Sequence, residues 1–446
     1  MKVCFCTNRF PPKVVGGAEL ISYDLAVHLR NRGHEVSILT LSDSRVTERY
    51  VIDELEVRCI PNANVYNQFS HQKRTGFGKA LFGALDTLNP VVFFYALRFL
   101  KSHGASVLCT HNLKGMGPAV WLAARVLGIP IVHVLHDYWL ICPRSTMFKD
   151  GCACSRVCAA CRLASMPKAW LTTLVGQVVG VSRFVLEQHL QNNFFPRAGY
   201  SVIHNARSAI GANMVGPTKP HSPFRVGFIG RIDAAKGIQE CFASVEAANV
   251  PGVELHIAGR DNDGLLDQLI LDHPQLTVVN HGFLNPREFY DQIDLVVITS
   301  IWNEPFATVS FEPWEFYKPS IAFAVGGLPE VYEAFPDLTV PRGDVAGLGA
   351  LIRRFIIDED FYVSEAKRCW GRRNYFLPSR QVREFEQALS AAQCRHDRCG
   401  ANPSGFAEGD PDVESGGRVA ANNAKFEESK KRGGGRDGAS SFKNKR

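Results

Sequence analysis

Short apolar runs alternate with helix-length segments along most of this chain, and that rhythm constrains the fold more than any other feature. KVCFCT (residues 2–7) is followed by a helical stretch from about Ala18 to Arg32, and then by HEVSILT, EVRCI, SVLCTHN and IPIVHVLHD. Strands separated by helices pair in parallel, because only a crossover of that length returns the chain to the same sheet edge. The rhythm resumes after the proline-rich GPTKPHSPF (216–224) with FRVGFIG, VELHIAG, TVVNHG, DLVVITS and SIAFA. The pattern predicts an α/β protein of two Rossmann-like, doubly wound domains facing a central cleft. The expected boundaries are 1–205 for the first domain, with a cysteine-rich insertion at 142–161, 206–223 for a linker and 224–394 for the second domain. A basic tail, 395–446, is expected to be disordered.

Several classes are set aside by what surrounds that pattern. A chain of 446 residues is long enough for two full cores. The longest central apolar run, LTTLVGQVVGV (171–181), is too short to span a bilayer, and MKVCFCTNRF lacks the apolar stretch of a secretory leader. The chain is therefore expected in the cytoplasm, or at the inner face of the membrane. Net charge is +6, and residues 418–446 alone hold nine Lys or Arg against three Asp or Glu, a surplus of six. The remainder is neutral overall, so the charge marks a solvated tail rich in Gly, Ser and Asn, and nucleic acid is not an expected partner. Cys4, Cys6, Cys59, Cys109 and Cys241 sit singly in apolar runs, where a reduced thiol packs as a small hydrophobe.

In doubly wound sheets ligands bind beyond the carboxyl ends of the strands. After the first strand, Gly16 and Gly17 precede a helix, an arrangement that lets backbone amides approach an anionic group. The spacing is not G-x-G-x-x-G, which argues against a nicotinamide enzyme. In the second half FIGRIDAAKGIQE puts Arg231 at a strand end and Lys236 near the next helix, two cations suited to neutralising a diphosphate. NEPFATVSFEPWEF follows the strand DLVVITS and carries Glu304 and Glu312, two carboxylates able to accept hydrogen bonds from neighbouring hydroxyls. A helix is expected to start between them, near Ser310, with Pro313 in its first turn.

Two further segments stand out. Ser70 to His103 mixes Lys73, Arg74, Lys79, Arg98 and Lys101 with FGKALFGAL and VVFFYALRFL, a pattern that fits either a helix on a membrane surface or a core helix pair with basic ends. Immediately after His136, HDYWLICPRSTMFKDGCACSRVCAACR contains Cys142, Cys152, Cys154, Cys158 and Cys161. Cys142, Cys154, Cys158 and Cys161 have spacing compatible with a structural zinc ion or an iron–sulfur cluster, with Cys152 an alternative to Cys154.

Eight stretches together resemble the retaining glycosyltransferases of family 4, which have the GT-B fold: GGAE (16–19), LHD (135–137), VSRF (181–184), IHNA (203–206), GRIDAAKG (230–237), LHIAG (255–259), EPFATVSFE (304–312) and GGLPE (326–330). They run in the family's order over roughly residues 1–390. The resemblance implies transfer of a sugar, with retention and without a catalytic metal, from a nucleotide-sugar donor to a glycan or lipid-linked acceptor, as in cell-surface polysaccharide synthesis. It implies that Glu312 binds the nucleotide ribose and Glu304 the donor sugar hydroxyls. Arg231 and Lys236 would then hold the diphosphate, Gly16 and Gly17 would let donor and acceptor approach, and His136 would lie near the transferred sugar. The family's usual Asn-Gly is Asn205-Ala206 here, and Pro313 stands where alanine is common. The competing readings are a nucleotide-sugar epimerase of the same architecture and a metal-stabilised, non-enzymatic binding module.

Overall fold

The computed structural model describes residues 1–14, 16–67, 76–207 and 216–401, and residues Met1–Arg398 form one compact unit. Among the described residues ten strands come before the proline-rich stretch: β1 Lys2–Cys6, β2 Glu35–Leu41, β3 Glu48–Ile52, β4 Leu55–Ile60, β5 Val107–Thr110, β6 Ile131–Leu135, β7 Phe148–Lys149, β8 Cys152–Ala153, β9 Gln177–Gly180 and β10 Gly199–Val202. Six follow it: β11 Phe224–Ile229, β12 Val253–Ala258, β13 Thr277–Asn280, β14 Leu295–Ile298, β15 Ser320–Phe323 and β16 Thr339–Val340. The first sheet has the order β10-β9-β6-β5-β1-β2-β4-β3, and the second β13-β12-β11-β14-β15-β16. All pairings are parallel except β3 with β4 in the first sheet and the small β7–β8 hairpin. Every residue of β5, β6 and β14 is buried, as expected of parallel strands covered on both faces.

Each sheet reverses its winding once. In the first the turning point lies between β1 and β5, and in the second between β11 and β14. Crevices open at such points because successive crossovers leave toward opposite faces. The loops after β1, β11 and β14 carry Gly16 and Gly17, Arg231 and Lys236, and Glu304, so topology alone gathers most of the predicted residues at two switch points.

The helices relevant to the site are α1 Gly17–Asn31, α2 Gly76–Thr87, α3 Pro90–His103, α4 Ala119–Val126, α5 Ala159–Leu171, α6 Arg183–Leu190 and α7 Ile238–Ala247. The Asn89 side chain accepts from the first free amides of α3, Val91 and Val92, and Gly104 closes that helix in the left-handed region. Val92, Ala96, Phe99 and Leu100 bury one face of α3, while Phe94 remains exposed. Residues 90–103 thus form a core helix with Val91 and Phe94 facing outward, and residues 70–75 lie outside the described residues. Among the described residues no helix is long and apolar enough to cross a membrane.

Two expectations are corrected. No α-helix starts between Glu304 and Glu312; Thr308–Ser310 and Glu312–Phe316 are separate 3₁₀ turns. Pro313 has no N–H to donate, and Tyr317, at φ 53°, stops the second turn. Residues 395–401, assigned to the tail, are the last turns of a helix that starts at Pro378. That helix packs back against the first half: Glu386 accepts from Arg32 Nε at 2.7 Å and lies 3.1 Å from His34 Nε2, while Phe385 and Leu389 are buried. Residues 402–446, the rest of the expected tail, lie outside the described residues.

Candidate active site

The C-terminal wall is built on one short ion pair. Lys236, in the turn Ala234–Lys236 after β11, points its Nζ at Glu304 Oε1, 2.6 Å away. The same oxygen accepts from Ser300 Oγ at 2.5 Å and Trp302 Nε1 at 2.8 Å, and Glu304 is only 3% exposed. Burial pushes the pKa of this carboxyl up, but the Lys236 charge and the three donors outweigh it and hold the pKa below the ordinary value. Gly237 makes the approach: at φ 71° a Cβ there would stand 1.8 Å from the Thr299 carbonyl oxygen, so only glycine lets the turn lie against the loop after β14. Gly326 does the same on the other side, where a Cβ would meet the Glu304 carbonyl at 2.1 Å. Arg231 is half-exposed and pairs with Asp233 at 3.3 Å.

Glu312 is also buried, but its partners come from elsewhere. Tyr290 donates to Oε2 at 2.9 Å, and Arg207 Nε to Oε1 at 3.2 Å. The same guanidinium reaches Asp24 on α1 at 2.9 Å, joining the two halves of the chain through one side chain.

The N-terminal wall places Gly16 as the residue before α1, its N–H donating to Glu19 Oε2 at 2.8 Å. Gly17 faces Thr308 of the second half, whose Oγ1 would lie 3.8 Å from a Cβ at that position. His136 follows β6; its Nε2 is 2.9 Å from Nδ1 of His111, which follows β5, and the two rings stack with centroids 5.2 Å apart. Both rings line the same small cavity together with Asp137 and Trp139. Burial drives the pKa of His136 down to about 4 and that of His111 well below the ordinary range, so both rings are neutral at neutral pH.

The two walls meet at several points. Glu330, in the GGLPE stretch, accepts from the Arg183 and Phe184 amides at the start of α6, at 2.7 and 2.9 Å, and lies 3.1 Å from His204 Nε2. A carboxylate at a helix N-terminus is electrostatically favoured, and this one belongs to the opposite half. The Tyr138 and Trp302 rings lie edge to face at 6.3 Å, also across the divide. Arg231, Lys236 and Glu304 therefore share one wall with Glu312 close by in sequence, and Gly16, Gly17 and His136 belong to the other. Sequence reasoning missed His111, Arg207 and Tyr290. His111 alone had a visible signal, a histidine immediately after an apolar strand.

In the cysteine-rich segment all thiols are free. Cys142 is buried, Cys154 and Cys161 are half-buried, and Cys152 and Cys158 are exposed. Cys161 Sγ lies 3.7 Å from Cys142 Sγ. Among the described residues no three Cys, His, Asp or Glu side chains are already gathered into a metal-ligand set.

Residues 16–206 match the model of the glycosyl transferase 4-like domain, and residues 212–373 that of the glycosyl transferases group 1. The chain belongs to the family 4-like glycosyltransferases of GT-B fold. It is 26% identical to a 42.6 kDa protein in the cps region of Klebsiella pneumoniae over 76% of this chain and 89% of the other. Glycogen synthase of Mycobacterium tuberculosis is 24% identical over 80% of this chain and 86% of its own length. Among solved structures, sucrose-phosphate synthase from Thermosynechococcus elongatus superimposes with a TM-score of 0.66 at 17% identity, covering 90% of this chain and 99% of that one. Anabaena HepE, solved with UDP and glucose, gives 0.64 at 20% identity over 88% and 100%.

Proposed function

We propose that this chain is a retaining glycosyltransferase that moves a sugar from a nucleotide-sugar donor to a glycan or lipid-linked acceptor during assembly of a cell-surface polysaccharide. One observation carries the reading: Lys236, held by the buried Glu304, stands with Arg231 at the switch point of the second sheet. A glycosyl transition state leaves negative charge on the departing diphosphate. Cations fixed before the reaction starts stabilise that charge without reorganising. Arg231 and Lys236 take this role, while Glu304 keeps Lys236 oriented and offers its remaining acceptor capacity to hydroxyls of the donor sugar. The bond from the anomeric carbon to the phosphate oxygen breaks as the acceptor oxygen attacks from the same face. The acceptor's proton passes to the departing phosphate oxygen. His136, neutral at working pH, serves as a hydrogen-bonding group near the sugar rather than as a charged acid. Gly16 and Gly17 leave room for donor and acceptor, and Glu312 binds the ribose.

The polysaccharide setting is supported by the Klebsiella relative from a cps region, and a uridine diphosphate donor by the ligands of HepE. A peripheral membrane position is supported by Leu163, Met166 and Trp170, which are exposed along one stripe of α5 at spacings of three and four. The test is to incubate the protein with labelled nucleotide sugars and a crude lipid-linked or oligosaccharide acceptor, then read the anomeric configuration of the adduct by NMR. Retained configuration in an acceptor-dependent product is expected. An inverted product, or epimerised sugar with no adduct, would overturn the proposal.

A further inference from the structure

The segment from Cys142 to Cys161 has an order that transfer chemistry does not require. Cys142 closes a tight turn, its N–H donating to the Tyr138 carbonyl at 2.7 Å. The chain then forms the β7–β8 hairpin, and Cys154 at its exit donates N–H to the Met147 carbonyl at 2.7 Å. Cys158 is the residue before α5, and Cys161 lies in that helix's first turn. Three separate backbone elements thus converge on one place.

The Cys142–Cys161 sulfur separation is informative. At 3.7 Å it is far beyond a disulfide, which requires about 2.05 Å. Four thiolates around a tetrahedral zinc ion, each about 2.3 Å from the metal, stand about 3.8 Å apart along every edge. The pair therefore already has the length of one edge. Cys161 donates its thiol to Cys142, and Cys158, three residues before it at the start of α5, has its sulfur close enough to take a hydrogen bond from the Cys161 amide. Cys154 lies close enough to Cys142 and Cys158 for their charges to interact, whereas Cys152 is exposed on the hairpin. One thiol pair at the length of a tetrahedral edge, with two further cysteines beside it not yet gathered, is a set that a metal ion would draw inward. In a cluster with one thiolate per iron the cysteine sulfurs stand further apart, so the 3.7 Å edge favours a single ion.

We infer that Cys142, Cys154, Cys158 and Cys161 bind one structural zinc ion that fastens the β7–β8 hairpin and α5 to the loop following His136. The fastening continues what the structure already does there. Ser165 of α5 donates to the Ile141 carbonyl at 2.6 Å, and Lys168 Nζ to the Trp139 carbonyl at 2.5 Å. A fourfold thiolate clip beside these bonds would fix the loop that leads away from His136, and with it one wall of the cleft. The role is structural: all four ligand positions are filled by the protein, leaving none for substrate.

Metal analysis of the full chain, purified without chelator or added metal, should give about one zinc per molecule, as a closed four-thiolate site requires. Cys142→Ser and Cys161→Ser should each lose it, and Cys152→Ser should keep it. Where a serine variant does not fold, the wild-type protein supplies the answer: a mercurial thiol reagent should release zinc to a metallochromic dye in step with the modification of four thiols. Zinc removal should also lower Tm, since metal bound only by the folded chain stabilises it. The inference fails if the protein is metal-free, if iron occupies the thiols, or if all four react with a thiol reagent as fast as the exposed Cys394. Sugar transfer in a metal-free wild-type protein would remove the zinc and leave the enzymatic reading intact.

Discussion

Replacing Lys236 with methionine tests the central ion pair without changing the volume of the side chain. Glu304 is 3% exposed, and its Oε1 receives Lys236 at 2.6 Å together with Ser300 and Trp302. Removing one partner of a buried pair leaves the other charge uncompensated, which costs about 3–5 kcal/mol. The Lys236 side chain is 21% exposed, which puts this pair at the lower end, about 3 kcal/mol. In the variant the burial that now loses to Lys236 would win and lift the Glu304 pKa above its ordinary value. The pH dependence follows. In the wild type a depressed carboxylate pKa gives stability that is present above the unfolded value and lost as pH falls through the folded one. In Lys236→Met the penalty is present at neutral pH and vanishes as the carboxyl takes up its proton. The stability gap between the two proteins should therefore be widest near pH 8 and shrink toward pH 5. The double variant Lys236→Met/Glu304→Gln, with no charge left to bury, should recover most of the stability and none of the activity. Urea unfolding followed by tryptophan fluorescence at several pH values measures both. A gap that is equal at pH 8 and pH 5, or a double variant no more stable than the single one, refutes the reasoning.

Arg231→Ala, at a half-exposed position, should leave stability within about 0.5 kcal/mol and lower kcat by about 10²–10³, with a much smaller change in donor Kd; calorimetry beside steady-state kinetics separates the two. Glu312→Ala should weaken nucleotide binding by about 10–100-fold, the worth of about 1.5–3 kcal/mol for hydrogen bonds to a charged group, measured by titration with UDP. Arg207→Met should weaken UDP binding far less than Glu312→Ala, or strengthen it, because it removes a competitor for the carboxylate; equal losses in the two variants would contradict this. Burial pushes His136 and His189 down to about 4, and His111 and His133 well below the ordinary range. The folded chain keeps these rings neutral while the unfolded chain protonates them near the ordinary value of 6.5. Stability should therefore fall as pH drops from about 6.5 toward 4, by up to about 1.4 kcal/mol per pH unit for each histidine; a urea midpoint unchanged between pH 7.5 and 5 would contradict it.

Residues just after apolar strands were readable in the sequence, because a buried parallel strand is a continuous apolar run whose carboxyl end is marked by the first polar residue. Arg231, Lys236, Glu304 and His136 all follow such runs. Arg207 had no comparable signal: its partner Asp24 lies 183 positions away, and only the closed arrangement of the two halves brings them together. Tyr290 was hidden for a related reason, since its partner Glu312 sits in a 3₁₀ turn where a helix was expected. The return of the C-terminal helix to the first half depends on pairs such as Arg32 with Glu386, 354 positions apart, which composition cannot reveal. A local rule locates the mouth of the site, whereas long-range pairing decides what each side chain is bonded to.

That distinction separates the two glutamates. Glu304 and Glu312 lie eight positions apart in one loop, both buried, yet their surroundings set them different tasks. All the donors to Glu304 come from its own half: Lys236, Ser300 and Trp302. Its charge is compensated before any ligand arrives, and the cost of holding it is met in folding. Glu312 shares its charge with Arg207, and through Arg207 with Asp24 on the helix that begins at Gly17. A ribose that hydrogen-bonds Glu312 must take acceptor capacity from that guanidinium, and Arg207 retains Asp24 as a second partner when it yields. On the proposed assignment of Glu312 to the ribose, nucleotide affinity would be a difference between two bonding states of one carboxylate. Because Arg207 bonds both Glu312 and Asp24 on α1, a donor bound at Glu312 as proposed would also change the hold on α1 and so couple its occupancy to the fit between the two walls.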